Sequence, residues 1–225
     1  CHLVCEEEEI GPETRGYTET IFQFYIQAIE IARAKKMISE EEYKKLDQDA
    51  YELAENLNKV VDESIAWYDR NKEEFLKMEK SSIAGYGVNF PTALEARLKF
   101  FETYSRPCTG YEMEEQMHGP MRAYNKDNYI FLIGSEGKEE FARLQELIPY
   151  YKDAFTEHVF TVTSEEGLEI TDRDLKFSVK TTDNLSPIIY VIPFQVLSAL
   201  ICEDVGIDTK VSPIKKRYVS SHYPS

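Results

Sequence analysis

The sequence is short of basic residues. Lys and Arg number 26 against 41 Asp and Glu, which gives a formal net charge of −15. Because polyanions are bound through basic surfaces, this balance argues against nucleic acid and anionic membranes as partners, whereas a small anion needs only a local cluster of donors. No run of about 18 apolar residues occurs, so the sequence predicts no membrane-spanning helix.

Several motifs are also missing. No C-x-x-C pair, dinucleotide fingerprint, phosphate-binding P-loop or nucleophile elbow occurs, so zinc, redox, nucleotide and serine-hydrolase chemistry have no support. We therefore predict no metal and no cofactor. No secretory signal pattern is present, and the isolated cysteines favour reduced thiols in a cytoplasmic protein. These cysteines are Cys1, Cys5, Cys108 and Cys202.

The first residues are unusual for the start of a protein. The chain of 225 residues opens on Cys1, and His2 to Cys5 is typical of the end of a buried strand. This length suits one large domain, or one domain with a fragment of another. We therefore expect the later part of a longer polypeptide.

The next stretch has the apolar periodicity of helices. A first amphipathic helix follows Thr18 and ends near Lys36. Ser39 with Glu42 forms a capping box that begins a second helical segment. The pattern continues to about Lys77, which we interpret as two pieces of helix.

From residue 81 onward, strand and helix patterns alternate, which predicts an α/β domain with a mostly parallel sheet. Residues 107–120 are expected to be irregular. The predicted strands are 82–88, 129–133, 158–162 and 175–179, and the predicted helices are 91–105, 138–153 and 187–205.

The helix after Pro91 carries the most informative side chains. Glu95, Lys99 and Glu102 lie at i, i+4 and i+7, which places them on one helical face. A carboxylate whose pKa is adjusted by burial and by a lysine can act as a general base. The helix also follows a strand and a glycine-bearing loop, at the edge where open α/β sheets bind ligands. The alternative interpretation is a solvated salt-bridge stripe.

Two further groups of residues are candidates. His118 lies near Glu114 and Glu115, where it can act as a proton shuttle, or it is a surface histidine without a role. Lys215 and Lys216 form a basic cluster that either reaches an anion or belongs to a solvated tail.

Two adjacent motifs carry a family resemblance. The pattern P-x-A-x-E-x-x-L-K-x-x-E is followed by E-x-x-H-G-P, at the expected separation. Together they resemble the second sugar isomerase (SIS) domain of the glucosamine-6-phosphate synthase and fructoselysine-6-phosphate deglycase families. The residues that match are Pro91, Ala93, Glu95, Leu98, Lys99, Glu102, Glu115, His118, Gly119 and Pro120.

The resemblance implies a fold and a domain order. The fold would be a three-layer αβα sandwich with a mostly parallel sheet, preceded by a helical linker. Residues 1–16 would end a first SIS domain, residues 17–79 would form the linker, and residues 80–225 would form the second SIS domain. Most of the first domain would then be missing.

The resemblance also implies roles for the candidate residues. Glu102 would move a proton between C1 and C2 of an opened sugar phosphate, and His118 would assist ring opening. Glu95 and Lys99 would line or brace the site, and Lys215 or Lys216 would reach the sugar carbonyl. In this family the histidine commonly acts across a subunit interface, which implies a homodimer or a higher homo-oligomer.

The chain departs from the family pattern in two places. The phosphate-binding S-x-S-G-x-T loop of the first SIS domain does not occur, and Gly85-Tyr-Gly-Val-Asn replaces the arginine-bearing loop of the synthase. The second departure favours isomerase-like or deglycase-like relatives. We therefore predict a phosphosugar isomerase or a deglycase/deaminase acting on an amino-sugar or fructosamine 6-phosphate. The alternatives are a sensor that binds sugar phosphate without catalysis, and a chain that is inert alone.

Overall fold

The computed structural model describes residues 12–135 and 138–210. Within these ranges the chain forms six α-helices and five strands, which alternate from β1 to β4. The helices are α1 (Arg15–Ala34), α2 (Glu40–Phe75), α3 (Phe90–Glu102), α4 (Met113–Met117), α5 (Lys138–Ala154) and α6 (Ser186–Val205). The strands are β1 (Ser81–Gly85), β2 (Cys108–Glu112), β3 (Tyr129–Gly134), β4 (Val159–Thr163) and β5 (Leu175–Lys176).

The five strands form one sheet in the order β2-β1-β3-β4-β5, and every pair is parallel. Strand β1 lies between β2 and β3, with Ser82 opposite Thr109 of β2 and Ile130 of β3. The chain leaves β1 in one direction to form β2 and returns past it to form β3. The predicted mostly parallel sheet is confirmed.

Alternate residues of the strands face two different cores. One face packs with α1, α2, α3 and α6, and the other packs with α4 and α5. This alternation follows from the two-residue side-chain period of a strand. It produces the three-layer αβα sandwich that the resemblance implied. The first face carries Ile83, Phe131, Ile133, Phe160 and Val162, and the second carries Ala84, Ile130, Leu132 and Val159.

The helical stretch before the sheet consists of two helices. The capping box is present, because Ser39 Oγ accepts a hydrogen bond from Glu42 N at 3.1 Å and Glu42 accepts one from Ser39 N at 2.7 Å. Helix α2 then runs without a break over Glu40–Phe75. The prediction that this segment forms two pieces of helix was therefore wrong. Because this segment contains no glycine or proline, nothing in it interrupts the helical hydrogen bonds.

The segment 107–120 is more regular than predicted. It contains the edge strand β2 and the short helix α4, followed by a 3-10 turn from Pro120–Ala123. Only Cys108 of the strand is fully buried, so the strand has no clear apolar alternation in sequence. Helix α4 has five residues, which is too short to show a helical period.

Helix α6 is the most apolar element. By length and composition it is a candidate membrane span, but 61% of its apolar window is buried within the fold. Ile188, Phe194 and Leu197 all lie in the larger core, as in the core helix of a soluble protein. The predicted end of a first SIS domain before Pro12, and the tail with Lys215 and Lys216, lie outside the described residues.

The sole tryptophan joins α2 to the sheet. Trp67 is fully buried, packs edge-on against Phe75 with ring centroids 5.0 Å apart, and also contacts Phe131 and Phe160. Its indole nitrogen donates to the carbonyl of Arg173 at 2.7 Å. The second half of α2 is therefore part of the same core as the sheet.

This packing predicts that the helical segment and the α/β unit unfold together. In a urea titration, Trp67 fluorescence and far-ultraviolet circular dichroism should give one coincident midpoint, as expected for a single cooperative unit. A loss of helical signal at lower urea, before the tryptophan signal changes, would instead show that the predicted linker is an independent unit.

Candidate functional site

Helix α3 begins in a tightly packed loop after β1. The side chain of Asn89 donates to Ser186 Oγ at 2.8 Å and accepts from Thr92 Oγ1 at 3.0 Å, which ties this loop to the start of α6. A Cβ atom at Gly85 would lie 2.5 Å from the carbonyl oxygen of Asn89, so only glycine fits there. Pro91 occupies the first turn, where its missing N–H costs nothing.

The second half of α3 carries a buried lysine between two carboxylates. Lys99 Nζ lies 3.2 Å from Glu95 Oε1 and 2.8 Å from Glu102 Oε2. It also donates to the carbonyl oxygen of Glu13 at 2.6 Å, so three oxygens surround an ammonium that has three N–H donors. The Lys99 side chain is 3% exposed. This burial is inconsistent with the solvated-stripe interpretation.

The two carboxylates differ in their surroundings. The side chain of Glu95 is 13% exposed and that of Glu102 is 33% exposed. Burial raises the pKa of Glu95, Lys99 opposes that shift, and the charge of Glu102 adds to it. Glu102 is therefore the carboxylate that a ligand in solvent can reach, and Glu95 is the one that braces Lys99 from inside.

Tyr17 is a neighbour of this cluster that the sequence did not single out. It lies in the first turn of α1, and burial raises its pKa to about 12. A hydrogen bond with Thr92 opposes the shift, and the charge of Glu95 adds to it.

A cavity of about 230 Å³ lies beside Lys99. Helices α3 and α6 form two of its walls, and the segments around Pro12 and Asp208 form the others. In one wall, Gln195 Nε2 donates to the carbonyl of Thr14 at 3.3 Å. The described chain ends in another wall, at Lys210. Its lining includes Lys99, Thr103, Gln195, Ser198 and Lys210.

The cluster lies away from the carboxyl edge of the sheet. Helix α3 starts at that edge and is 13 residues long, so it spans about 20 Å at 1.5 Å per residue. Lys99 and Glu102 occupy its far end, just before β2 begins. The expectation of a site at the carboxyl edge therefore applies to the start of α3 and not to these two residues.

His118 lies elsewhere in the described chain. It caps the C-terminal end of α4, is exposed, and has its Nδ1 3.2 Å from the carbonyl oxygen of Glu114. Glu102 precedes the five-residue strand β2 and His118 follows it, so they lie at opposite ends of a strand roughly 16 Å long. Within residues 12–135 and 138–210, no hydrogen bond or ion pair joins His118 to the Glu95–Lys99–Glu102 cluster.

Helix α4 is anchored from both sides. On its outer side, the guanidinium of Arg143 holds the pKa of Glu114 below its usual range. On its inner side, Gln116 is fully buried under the sheet. Among the residues that the structure describes, no three His, Cys, Asp or Glu side chains are grouped as metal ligands would be.

Comparison with known protein families identifies the larger part of this fold. The SIS domain model matches residues 74–201. The chain belongs to the SIS domain family. The match covers the end of α2, the sheet, the Glu95–Lys99–Glu102 cluster, His118 and most of α6.

The curated relatives of this SIS chain are longer proteins. Glutamine–fructose-6-phosphate aminotransferase (isomerizing) from Nostoc sp. is 27% identical over 204 residues, which cover 89% of this chain and 32% of that protein. The enzyme of the same name from Synechocystis sp. matches with the same identity and coverage. This SIS chain therefore spans about a third of the length of the curated relatives it matches.

Solved structures with the SIS fold superpose on this chain. A Clostridium difficile protein classed as a phosphosugar isomerase superposes with a TM-score of 0.85 and 30% identity, covering 99% of this chain and 62% of that chain. The C-terminal domain of glucosamine-fructose-6-phosphate aminotransferase from Francisella tularensis gives a TM-score of 0.75 at 18% identity, covering 90% of this chain and 57% of that one. The second likeness shows the fold alone.

Proposed function

We propose that this chain carries the sugar-binding and proton-transferring half of a phosphosugar isomerase or a related deglycase/deaminase. The substrate would be an amino-sugar or fructosamine 6-phosphate. The observation that carries the proposal is the buried Lys99, which binds three oxygens, holds the more exposed carboxylate of Glu102 and lines a cavity. Family membership and the phosphosugar isomerase classification of the Clostridium difficile protein support it.

In this proposal Glu102 is the base. Lys99 binds Glu102 Oε2, and we assign the other oxygen, Oε1, to the substrate. The carboxylate removes a proton from the carbon next to the carbonyl of the opened sugar; the electron pair of that C–H bond forms a C=C bond, and the π pair of the carbonyl moves to its oxygen, which gives an enediolate. A proton then passes from the adjacent hydroxyl to that oxygen, and the carboxyl group returns its own proton to the former carbonyl carbon as the second oxygen forms the new carbonyl. One base placed over two adjacent carbons is sufficient for this step.

Lys99 supports this step without reacting. Its ammonium fixes the direction of the Glu102 carboxylate, since a charge-assisted bond is stronger than a neutral one. Glu95 balances the second side of Lys99 from a more buried position. Lys215 and Lys216 remain candidates to reach the sugar carbonyl.

The proposed partner is a second copy of the chain. Because β2 separates Glu102 from His118 within one subunit, the His118 that assists ring opening would come from the other subunit of a homodimer or higher homo-oligomer. The phosphate would be bound by a preceding SIS domain in a longer polypeptide, and the protein would be cytoplasmic.

A panel of sugar 6-phosphates tests the proposal. We expect one of the glucosamine, fructose or fructosamine 6-phosphates to raise the thermal midpoint, because a ligand at about 100 times its dissociation constant adds roughly 2.7 kcal/mol to the free energy of unfolding. Turnover of the same compound should follow in the natural polypeptide that contains this chain. Stabilisation without turnover would favour the sensor function instead. If that polypeptide showed neither stabilisation nor turnover, both the enzymatic and the sensor function would be contradicted.

A further inference from the structure

The ring of His118 is oriented by a backbone carbonyl. Its Nδ1 lies 3.2 Å from the oxygen of Glu114, and a carbonyl can only accept a hydrogen bond. The contact therefore requires a hydrogen on Nδ1, which leaves Nε2 as the outward ring nitrogen. The hydrogen bond of one ring nitrogen sets the role of the other.

We propose that α4 is a platform that fixes His118 as the Nδ1–H tautomer, and that Glu114 and Gln116 are its positioning residues. The inference rests on the proposed function for the use made of His118, because Nε2 would then be the atom that exchanges a proton with the sugar ring. The tautomer itself depends only on the platform.

The platform has to be held by its surroundings. Helix α4 has five residues, and a helix of that length is not stable in water by itself. Its N-terminal end is capped by the carboxylate of Glu112, which accepts from the backbone N–H groups of Glu114 and Glu115 at 2.8 and 3.1 Å. The remaining stability has to come from side chains that reach other elements.

The outer anchor of the platform is Glu114. Its Oε1 accepts from the hydroxyl of Tyr86 at 2.7 Å and from Arg143 Nε at 2.8 Å. Tyr86 follows β1 and Arg143 lies on α5, so the carboxylate is held from two separate elements. Because the carbonyl of the same residue contacts His118, these bonds also fix the acceptor of the histidine.

The inner anchor is Gln116, which is fully buried. Its amide nitrogen donates to Ser82 Oγ and to Tyr124 OH, both at 2.7 Å, and its amide oxygen accepts from Tyr151 OH at 2.7 Å. Both N–H donors and the carbonyl are thus used, so the amide has one favourable orientation. Gln116 therefore anchors α4 to the core at a position two residues before His118.

The test measures the tautomer directly. Protein labelled with ¹⁵N-histidine is examined by long-range ¹H–¹⁵N correlation at a pH where the ring is neutral, and His118→Gln assigns the signals. We expect His118 to show the Nδ1–H pattern, whereas neutral histidine in water favours the Nε2–H form. An Nε2–H pattern for His118 would overturn the inference, whatever the turnover.

Two variants test the anchors. Tyr151→Phe leaves Gln116 Oε1 without its buried donor, so the share of the Nε2–H form should rise several-fold, and kcat should fall roughly tenfold with little change in KM. The matched control is Tyr150→Phe, since Tyr150 is the preceding residue of the helix and is 41% exposed. If the Tyr151→Phe variant folds and its His118 keeps the tautomer of the wild type, Gln116 is not a positioning residue.

The second variant is Glu114→Gln, which weakens the outer anchor without opening the core. Its control is Glu146→Gln, because Glu146 also binds Arg143, at 2.9 Å, but does not belong to the platform. Only Glu114→Gln should change the His118 signals, and identical spectra for both would contradict the outer anchor. Wild-type turnover by His118→Gln would refute the proposed use of His118 while leaving the tautomer result intact.

Discussion

Glu102→Gln should lower turnover by about 10²–10⁴, the range for loss of a positioned general base. The amide is nearly the same size as the carboxylate and can still accept a hydrogen bond from Lys99, so the fold should remain. It cannot remove a proton from carbon, however. The variant is assayed in the natural polypeptide that contains this chain, with thermal unfolding measured in parallel.

The control for this variant is Glu55→Gln on the exposed side of α2, which makes the same chemical change away from the cavity. It should keep the turnover of the wild type. Sugar phosphate should still stabilise Glu102→Gln, because the base contributes more to the transition state than to binding. A fully active Glu102→Gln would end the assignment of Glu102 as the base.

Lys99→Met should cost about 3 kcal/mol in the free energy of unfolding near neutral pH, the lower end of the range for breaking a buried ion pair. Methionine fills a similar volume, but Glu95 then faces Glu102 with no cation between them. The carbonyl of Glu13 loses its donor as well. Urea unfolding measures the effect, and Lys45→Met on the exposed side of α2 is the control.

The loss in Lys99→Met should depend on pH in a defined direction. Burial already raises the pKa of Glu95, so its protonated form is the one that the folded state favours. Removing Lys99 takes away the influence that lowers this pKa. Folding with a charged Glu95 is then costly above the raised pKa and is relieved as the pH falls through it. The difference from wild type should shrink between pH 7.5 and pH 5, and a constant difference would argue against an unpaired Glu95.

Periodicity predicted the larger elements well because their signals are local. The capping box at Ser39 and the apolar run from Tyr129–Gly134 each lie within a few neighbouring residues, and both have the structures expected. The predicted strand over 175–179 pairs only at Leu175–Lys176. The backbone N–H of Phe177 still donates to the carbonyl oxygen of Thr163 at 2.8 Å, and beyond it the apolar pattern reflects burial of Phe177 and Val179 in the larger core.

The candidate site was only partly visible in the sequence. The spacing of Glu95, Lys99 and Glu102 predicted their common face, because helical geometry alone decides it. Burial of Lys99 was not predictable, since it depends on α6 and on a carbonyl 86 positions earlier in the chain. The distance between Glu102 and His118 also required the strand β2, which the sequence did not reveal.

The contact between Lys99 and Glu13 has a consequence for how the protein tolerates change. Lys99 binds the main-chain oxygen of residue 13, which every amino acid possesses. Side-chain variation at position 13 should therefore be neutral, whereas deletion of one residue between positions 12 and 17 should disable the cluster by moving that oxygen. Natural variation in the segment 12–17 would therefore preserve its length more strictly than the identity of its residues.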